Sequence, residues 1–404
     1  MTTMPLSFAP LMARFKASES TEAGARARAL RAEGHHVVDF SIGEPDFPVP
    51  ANVKEAIKQA LDGDDTHYTN TGGTLELIDA VRAKLLRENG LEYGRDQIII
   101  GSGAKSVMYH AFACTVGEGD EVIVPVPYWI SYPNQVRIAG GTPVFVECGA
   151  DGGFQLDVAA IEAAITPRTR WLVLNSPNNP TGAMLSDATL AELAEMLARH
   201  PHVLIMSDEI YEHLRYGGAV HRSIATLGEG IKARTLVVNG VSKSYAMTGL
   251  RIGYGAGPAE LVKAMVKLQT QTTSCASSLG QAGAVAALNA SHDDVAARRA
   301  VMAQRRDYLA QRLAGIPGLS VRAPEGSMYF FCDCRGLLGK TTPQGARLES
   351  DLDFVRYLLD QYKLVVIQGS AYGCPGFFRI SFATSQENLE EGSARLRDAC
   401  AALG

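Results

Sequence analysis

The sequence predicts an α/β protein with two domains: a large one built on a mostly parallel sheet, and a smaller α+β domain. The chain has 404 residues, more than one hydrophobic core usually serves. Short apolar runs alternate with helical patterns through its middle, which is typical of βα units. From about residue 293 the pattern changes to a charged helix followed by turns rich in Gly and Pro.

The large domain is expected to span residues 47–290. Apolar residues recur at helical spacing at Leu75, Ile78, Val81 and Leu85, and further helices are expected from about Lys105 and after Trp129. Runs that predict buried strands lie at residues 97–100, 121–124, 144–146, 171–174, 203–206 and 236–238. Near-continuous apolar strands of this kind are typical of a parallel sheet covered by helices on both faces.

The small domain is expected to span residues 291–404. Helices are predicted over 293–313, 351–362 and the C-terminal segment, and strands over 327–332, 365–368 and 377–382. Residues 1–46 are predicted to form an N-terminal arm and part of the small domain. Their helix, at about 20–34, would pack on that domain.

Composition excludes several classes of protein. The net charge is -5 and no basic run is present, which argues against a nucleic-acid surface. No apolar segment is long enough to span a bilayer, and residues 1–16 do not resemble a signal peptide. The seven scattered cysteines indicate free thiols in a reducing cytoplasm. Cys332 and Cys334 lack a second Cys/His pair nearby, so we interpret them as strand residues and expect no metal.

Lys243 is the first candidate for chemistry. Small, uncharged residues surround it, and Arg251 follows eight positions later. A desolvated lysine changes its pKa readily and can act as an amine nucleophile, whereas arginine stays charged and binds phosphate in bidentate fashion. Together they indicate an enzyme that binds pyridoxal 5'-phosphate.

Two other segments could complete the phosphate and ring sites. Residues 101–105 form a Gly-rich turn between a strand and a helix, and helix N-termini bind phosphate. Residues 175–182 follow a strand and contain two prolines, so Asn179 would be held rigidly enough to reach the cofactor's phenolic oxygen. Taken alone, each segment would be better interpreted as a structural turn.

The segment 207–211 also ends an apolar strand. Asp208 could pair with a pyridinium nitrogen, and Tyr211 could share the phenolic oxygen. The alternative is an aspartate that caps a helix. The combination of all four segments in this order favours the cofactor site.

In these segments the chain resembles the fold-type I, pyridoxal-phosphate-dependent aminotransferases of class I/II, particularly the bacterial aspartate aminotransferases. The resemblance runs from residues 43–47 through 128–133 to 378–383. It implies a large cofactor-binding α/β domain, a small α+β domain and a homodimer with shared active sites. The lysine segment and Asn-Asn-Pro-Thr-Gly at 178–182 are its most specific matches.

The resemblance also implies roles for single residues. Lys243 would carry the cofactor as a Schiff base, while Asp208 would keep the ring nitrogen protonated. The other cofactor contacts would be Trp129 on the ring face, Asn179 and Tyr211 at the phenolic oxygen, and Gly103, Ala104, Ser242, Arg251 and the neighbouring subunit's Tyr68 at the phosphate. Arg379 would bind the substrate α-carboxylate, with the Gly43 backbone nearby.

The implied reaction is a ping-pong transfer of an amino group from an L-amino acid to a 2-oxo acid such as 2-oxoglutarate. Lys105 stands where similar enzymes bind the distal carboxylate of aspartate or glutamate, so an acidic amino acid is expected. Prephenate-using relatives share this lysine, and residues 275–278 depart from the family's usual stretch. An aminotransferase for aromatic amino acids or prephenate and a β-lyase therefore remain alternatives.

Two other functions are less well supported by the sequence. The glycines at 253–257 could indicate a dinucleotide oxidoreductase, but their spacing departs from the usual fingerprint and no acidic residue follows at the right distance. A transcription regulator of the same fold would need an added DNA-binding domain, and too few residues precede Gly43 to hold one.

Overall fold

The computed structural model describes residues 6–15 and 19–404. Part of the stretch 1–16, for which no signal peptide is expected, lies outside these residues. The strands are β1 (Val38–Asp39), β2 (Ile98–Gly101), β3 (Glu121–Val126), β4 (Thr142–Glu147), β5 (Thr169–Asn175), β6 (Leu204–Asp208), β7 (Thr235–Gly240), β8 (Gly253–Ala256), β9 (Tyr329–Asp333), β10 (Leu364–Val365), β11 (Ile367–Gln368) and β12 (Phe377–Ser381).

The helices alternate with these strands through the middle of the chain. They are α1 (Glu19–Ala32), α2 (Ala51–Asp62), α3 (Leu75–Asn89), α4 (Ala104–Thr115), α5 (Ser131–Ala139), α6 (Val158–Ala163), α7 (Asp187–Ala198), α8 (Glu229–Lys232), α9 (Ala259–Gln269), α10 (Ser278–Asn289), α11 (Asp293–Leu313), α12 (Asp351–Tyr362) and α13 (Gln386–Ala401). Within the described ranges, no helix combines the length and apolar character that a bilayer crossing requires.

The central sheet has seven strands in the order β2-β8-β7-β6-β5-β3-β4. All pairs are parallel except those of β8, which runs antiparallel to β2 and β7. This arrangement confirms the predicted α/β class, and the six strands predicted for the large domain are all present. Helices cover both faces: residues of α4, α5 and α9 pack on one, and residues of α6 and α7 on the other.

Strand β8 was not predicted, because its glycines were considered only as a dinucleotide fingerprint. They serve close packing instead. A Cβ at Gly253 would lie 2.1 Å from the backbone nitrogen of Ala104, the first residue of α4. The strand therefore passes directly beside the start of a helix, where only glycine fits.

Two smaller sheets complete the fold. Strands β11, β12 and β9 form an antiparallel sheet, and β1 pairs in parallel with β10. The predicted single strand over residues 365–368 is thus two short strands, each paired in a different sheet. Strand β1 and Phe40 join the hydrophobic cluster formed mainly by C-terminal residues. The domain boundaries near residues 46 and 290 stay predictions.

A buried ion pair connects α3 to the turn after β6. The Lys84 ammonium donates to the Glu212 carboxylate, and the two residues are 1% and 4% exposed. Asn89 and Asn239 also donate to Glu212, at 2.8 and 2.6 Å. Burial alone would raise the pKa of Glu212, but the Lys84 charge and the neighbouring histidines hold it well below its usual range. The Glu212 carboxylate is therefore ionised, and these partners stabilise its buried charge.

We expect Lys84→Met to destabilise the protein by about 3–5 kcal/mol, since it leaves a buried charge unpaired. The matched control is Lys58→Met, which removes an exposed pair with Glu55 and is expected to cost about 0–1 kcal/mol. Urea unfolding followed by circular dichroism measures both. Equal changes in the free energy of unfolding for the two substitutions would show that the buried pair contributes no more to stability than the exposed pair.

Candidate active site

A cleft of about 690 Å³ opens at the carboxyl edge of the central sheet. Ligands of open α/β sheets bind at this edge, because several strands end there side by side. Eleven of the predicted site residues line the cleft: Gly43, Ala104, Lys105, Trp129, Asn179, Asp208, Tyr211, Ser242, Lys243, Arg251 and Arg379. Of the remaining two, Gly103 lies beside Arg251 and Tyr68 does not line it.

Lys243 follows β7 and reaches into this cleft. Its ammonium donates a hydrogen bond to the carbonyl oxygen of Gly43, from the segment after β1. Burial lowers the pKa of Lys243 to about 8, and the nearby positive charge of Arg379 acts in the same direction. The neutral, nucleophilic form of this lysine is therefore reached at mildly basic pH, well below the range of an ordinary lysine.

Asp208 ends β6 and is almost fully buried. The Tyr132 hydroxyl donates to its Oδ2 at 2.5 Å, and the Ile210 N–H donates to its Oδ1 at 3.3 Å. Burial raises the pKa of Asp208 to about 6, while the bond from Tyr132 opposes that rise. No helix follows Asp208, so it is not the helix cap considered as the alternative. The carboxylate is ionised at neutral pH and can accept a proton-bearing partner.

Gly103, the N-cap of α4, and Arg251 form an anion-binding corner. Gly103 has a φ of 85°, and a Cβ there would lie 2.2 Å from Arg251 Nη2. Arg251 donates to the carbonyl oxygens of Thr248 and Ser102, at 2.8 and 3.4 Å. The first N–H groups of α4 have no partner within the helix, so they and the guanidinium favour a bound anion.

Arg379 of β12 forms a second anion-binding group. It donates to Asn179 Oδ1 at 3.0 Å and to the Ser41 carbonyl oxygen at 2.7 Å. Its guanidinium lies 4.2 Å from the centre of the Tyr329 ring. Its Nε is buried and has no hydrogen-bond partner among the described residues. An unpartnered buried donor of this kind is suited to a carboxylate.

Asn179 and Tyr211 are fixed by other parts of the site. The Asn179 backbone N–H donates to Asn175 Oδ1 at 2.8 Å, and the Asn175 amide donates to the Asp208 carbonyl oxygen. The Tyr211 hydroxyl lies 3.0 Å from that of Tyr329. Both predicted phenolic-oxygen contacts are thus brought to the cleft, although their roles stay predictions.

Lys105 and Trp129 lie on one wall of the cleft. The Lys105 ammonium is 4.9 Å from the centre of the Trp129 ring, within the range of a cation–π contact. Partial burial and the charge of Arg251 lower the pKa of Lys105. Trp129 meets the buried Tyr132 edge-on at 5.3 Å.

Tyr68 is 91% exposed and does not line the cleft of its own chain. Its contact with the phosphate of a neighbouring subunit stays a prediction.

Tyr132 and Tyr329 are functional candidates that the sequence analysis missed. Tyr132 is the second residue of α5, and the signal that could have identified it is its place in the segment 128–133, which carries the family resemblance. Tyr329 had no local signal, because its contacts come from distant segments.

The cleft thus brings together a lysine with a lowered pKa, a buried carboxyl group and two arginines, a set suited to the chemistry of anionic small molecules. Residues 35–396 match the family model described as Aminotransferase class I and II. The chain therefore belongs to the class I and II aminotransferases.

Named relatives are similar over almost the whole chain. An aspartate aminotransferase of Rhizobium meliloti (strain 1021) is 49% identical over 95% of this chain and 93% of its own. An aspartate/prephenate aminotransferase of Cereibacter sphaeroides is 45% identical over 97% of this chain and 98% of its own. A crystal structure of an aspartate aminotransferase from Rhizobium meliloti superimposes with a TM-score of 0.96 at 47% identity, covering 99% and 100% of the two chains.

We expect Tyr132→Phe to raise the pKa of Asp208 above about 6. The hydrogen bond from Tyr132 stabilises the ionised carboxylate, and the substitution removes it. Infrared difference spectra of the carboxyl stretch, recorded across pH, measure this shift. The control is Tyr109→Phe in α4, whose ring contacts His110 and does not line the cleft. A Tyr132→Phe titration identical to that of the unaltered protein would contradict the assigned interaction.

Proposed function

We propose that the protein binds pyridoxal 5'-phosphate at Lys243 and transfers the amino group of aspartate, or another acidic L-amino acid, to a 2-oxo acid such as 2-oxoglutarate. The observation that carries the proposal is the position of Lys243 in one cleft with Asp208 and Arg379, where desolvation lowers the pKa of the lysine to about 8. A neutral amine is needed to attack an aldehyde, and a nearby arginine is needed to hold an amino acid by its carboxylate.

The chain's residues fit this cofactor. Arg251, Ser242 and the start of α4 offer positive charge and donors for a phosphate, and Gly103 leaves the arginine the space that a side chain would fill. Asp208 offers a buried carboxylate for the protonated ring nitrogen. Asn179 and Tyr211 offer polar groups for the phenolic oxygen, and Trp129 offers a flat face for the ring.

When bound, pyridoxal 5'-phosphate supplies an aldehyde and a conjugated ring that stabilises negative charge at the substrate Cα. Arg379 holds the α-carboxylate of the amino acid, so that its Cα faces Lys243. The Lys243 amine would take the proton from the substrate Cα and deliver it to the carbon that the cofactor's aldehyde supplies, a general acid–base role suited to its pKa of about 8. Because the donor's 2-oxo product leaves before the acceptor binds, the kinetics are ping-pong.

The two relatives' names support aspartate as the donor and keep prephenate as the alternative acceptor class. Lys105 supports an acidic side chain, since its ammonium faces the cleft beside Trp129. An aminotransferase for aromatic amino acids would react with phenylalanine in preference to aspartate. A β-lyase would release pyruvate and ammonia without any acceptor.

The active unit is a homodimer in this proposal, and the protein works in the cytoplasm. Tyr68, at 91% exposure, is free to reach a neighbouring subunit's phosphate site. All seven cysteines are free thiols, in keeping with a reducing compartment.

We expect Lys243→Ala to lose the visible absorbance that pyridoxal 5'-phosphate gives when covalently bound, and to slow transamination by about a thousandfold. Absorption spectra after cofactor addition and a 2-oxoglutarate-coupled assay measure the two effects. Lys263→Ala, at an exposed position of α9, is the control and should change neither. Normal turnover by Lys243→Ala would refute the assignment.

We expect Lys105→Gln to lower kcat/KM for aspartate and glutamate by roughly 10- to 100-fold, because a charge-assisted contact is lost. Alanine, which has no distal carboxylate, should react as before. Single-turnover conversion of the bound cofactor, followed spectroscopically, measures each amino acid separately. Lys54→Gln, exposed on α2, is the control; a loss with Lys105→Gln that is equal for alanine and aspartate would exclude this role.

A further inference from the structure

The cleft carries more positive charge than the cofactor and the α-carboxylate use. Six basic side chains line it against three carboxyl groups: Arg28, Arg31, Lys105, Lys243, Arg251 and Arg379 against Asp39, Glu44 and Asp208. Lys243, Arg251 and Arg379 have the roles described above. Arg31 donates to Asp39 Oδ2 at 3.4 Å and to the Val37 carbonyl oxygen at 3.3 Å. Of the other two, Lys105 has the proposed role at the substrate side chain, and Arg28 has no role so far.

Arg28 is directed at the cleft by the way α1 is anchored. Ala27 and Leu30 are buried against Val37, Leu359 and Val365, which fixes one face of α1 on β10 and α12. Gly24, Arg28 and Arg31 follow one another at helical spacings of four and three, so they share a different face. That face lines the cleft.

The Arg28 guanidinium is available for a ligand. It has no hydrogen-bond or ion-pair partner among the side chains that the structure describes, those of residues 6–15 and 24–404. Gly24, one turn earlier, has no side chain, and a Cβ there would touch Arg28 Nη1 at 3.5 Å. Gly24 and Arg28 therefore lie next to each other where α1 lines the cleft.

We propose that Arg28 determines specificity for dicarboxylic substrates, binding the side-chain carboxylate from α1 while Lys105 binds it from α4. The proposal rests on the proposed function, since it assigns a residue to the substrate of that same site. An arginine can hold a carboxylate with two parallel hydrogen bonds, whereas a lysine acts as a point charge. The two together favour aspartate and glutamate over neutral or aromatic amino acids.

The neighbouring residue Arg26 provides a matched control. It lies on the same helix and pairs with Asp360 at 3.9 Å, away from the cleft. Arg26→Gln removes the same charge from α1 without removing a group from the site. Arg28→Lys keeps the charge but not the two-bond geometry, so it should restore part of what Arg28→Gln loses.

The test uses the cofactor-loaded protein and two unreactive acids, succinate and propionate, which differ by one carboxylate. Calorimetric titration with Arg28→Gln should show roughly tenfold weaker succinate binding and unchanged propionate binding. In single turnovers, kcat/KM for aspartate should fall by a similar factor while that for alanine is unchanged. Arg26→Gln should match the unaltered protein in all four measurements.

Three results would overturn the assignment of Arg28. Succinate binding could be unchanged in Arg28→Gln, propionate could weaken as much as succinate, or Arg26→Gln could lose as much as Arg28→Gln. Failure of the proposed function is recognised separately, because the unaltered protein would then convert neither aspartate nor glutamate with its cofactor.

Discussion

Burial of the Asp208 carboxylate at the end of β6 is the constraint on which the rest of the site depends. A charge at this depth must be satisfied, and its partners come from different elements: the Tyr132 hydroxyl from α5 and the Ile210 N–H from the following turn. The backbone carbonyl oxygen of Asp208 accepts a hydrogen bond from the side chain of Asn175, at the end of β5. The same Asn175 side chain accepts a hydrogen bond from the Asn179 backbone N–H. Through its carboxylate and its backbone carbonyl together, Asp208 connects two loops and one helix.

Arg379 connects parts of the chain that lie far apart in sequence. Through Ser41 it contacts the segment after β1, and through Asn179 it contacts the loop after β5, while it belongs itself to β12. Lys243 reaches the same N-terminal segment through Gly43. Arg379 and Lys243 therefore connect the central sheet, the C-terminal sheet and the N-terminal segment at one cleft.

The sequence predicted those features that local patterns determine. Apolar runs located the strands of the central sheet because buried parallel strands are apolar throughout, and α11 and α12 were predicted with their observed bounds. Motifs at strand ends identified Lys243, Asp208 and Asn179, because those positions meet at one edge of a parallel sheet. The family resemblance supplied Arg379 and Trp129.

What could not be predicted depends on contacts between distant segments. Strand β8 is rich in glycine because it passes close to α4, and this proximity has no periodic signature. Tyr329 joins the site only because β9 lies beside β12, and Arg28 only because α1 packs on β10. Residues 365–368 contribute to two sheets, although their apolar pattern is that of one strand.

The buried pair of Lys84 and Glu212 also limits how this chain can change over evolutionary time. Loss of either charge removes the main ionic partner of the other in a buried position, whereas joint replacement by two apolar residues can be neutral. Helix α3 and the turn that follows β6 therefore cannot diverge independently at these positions. Because Tyr211 directly precedes Glu212, a change on α3, outside the cleft, bears on the sequences that this active site can adopt.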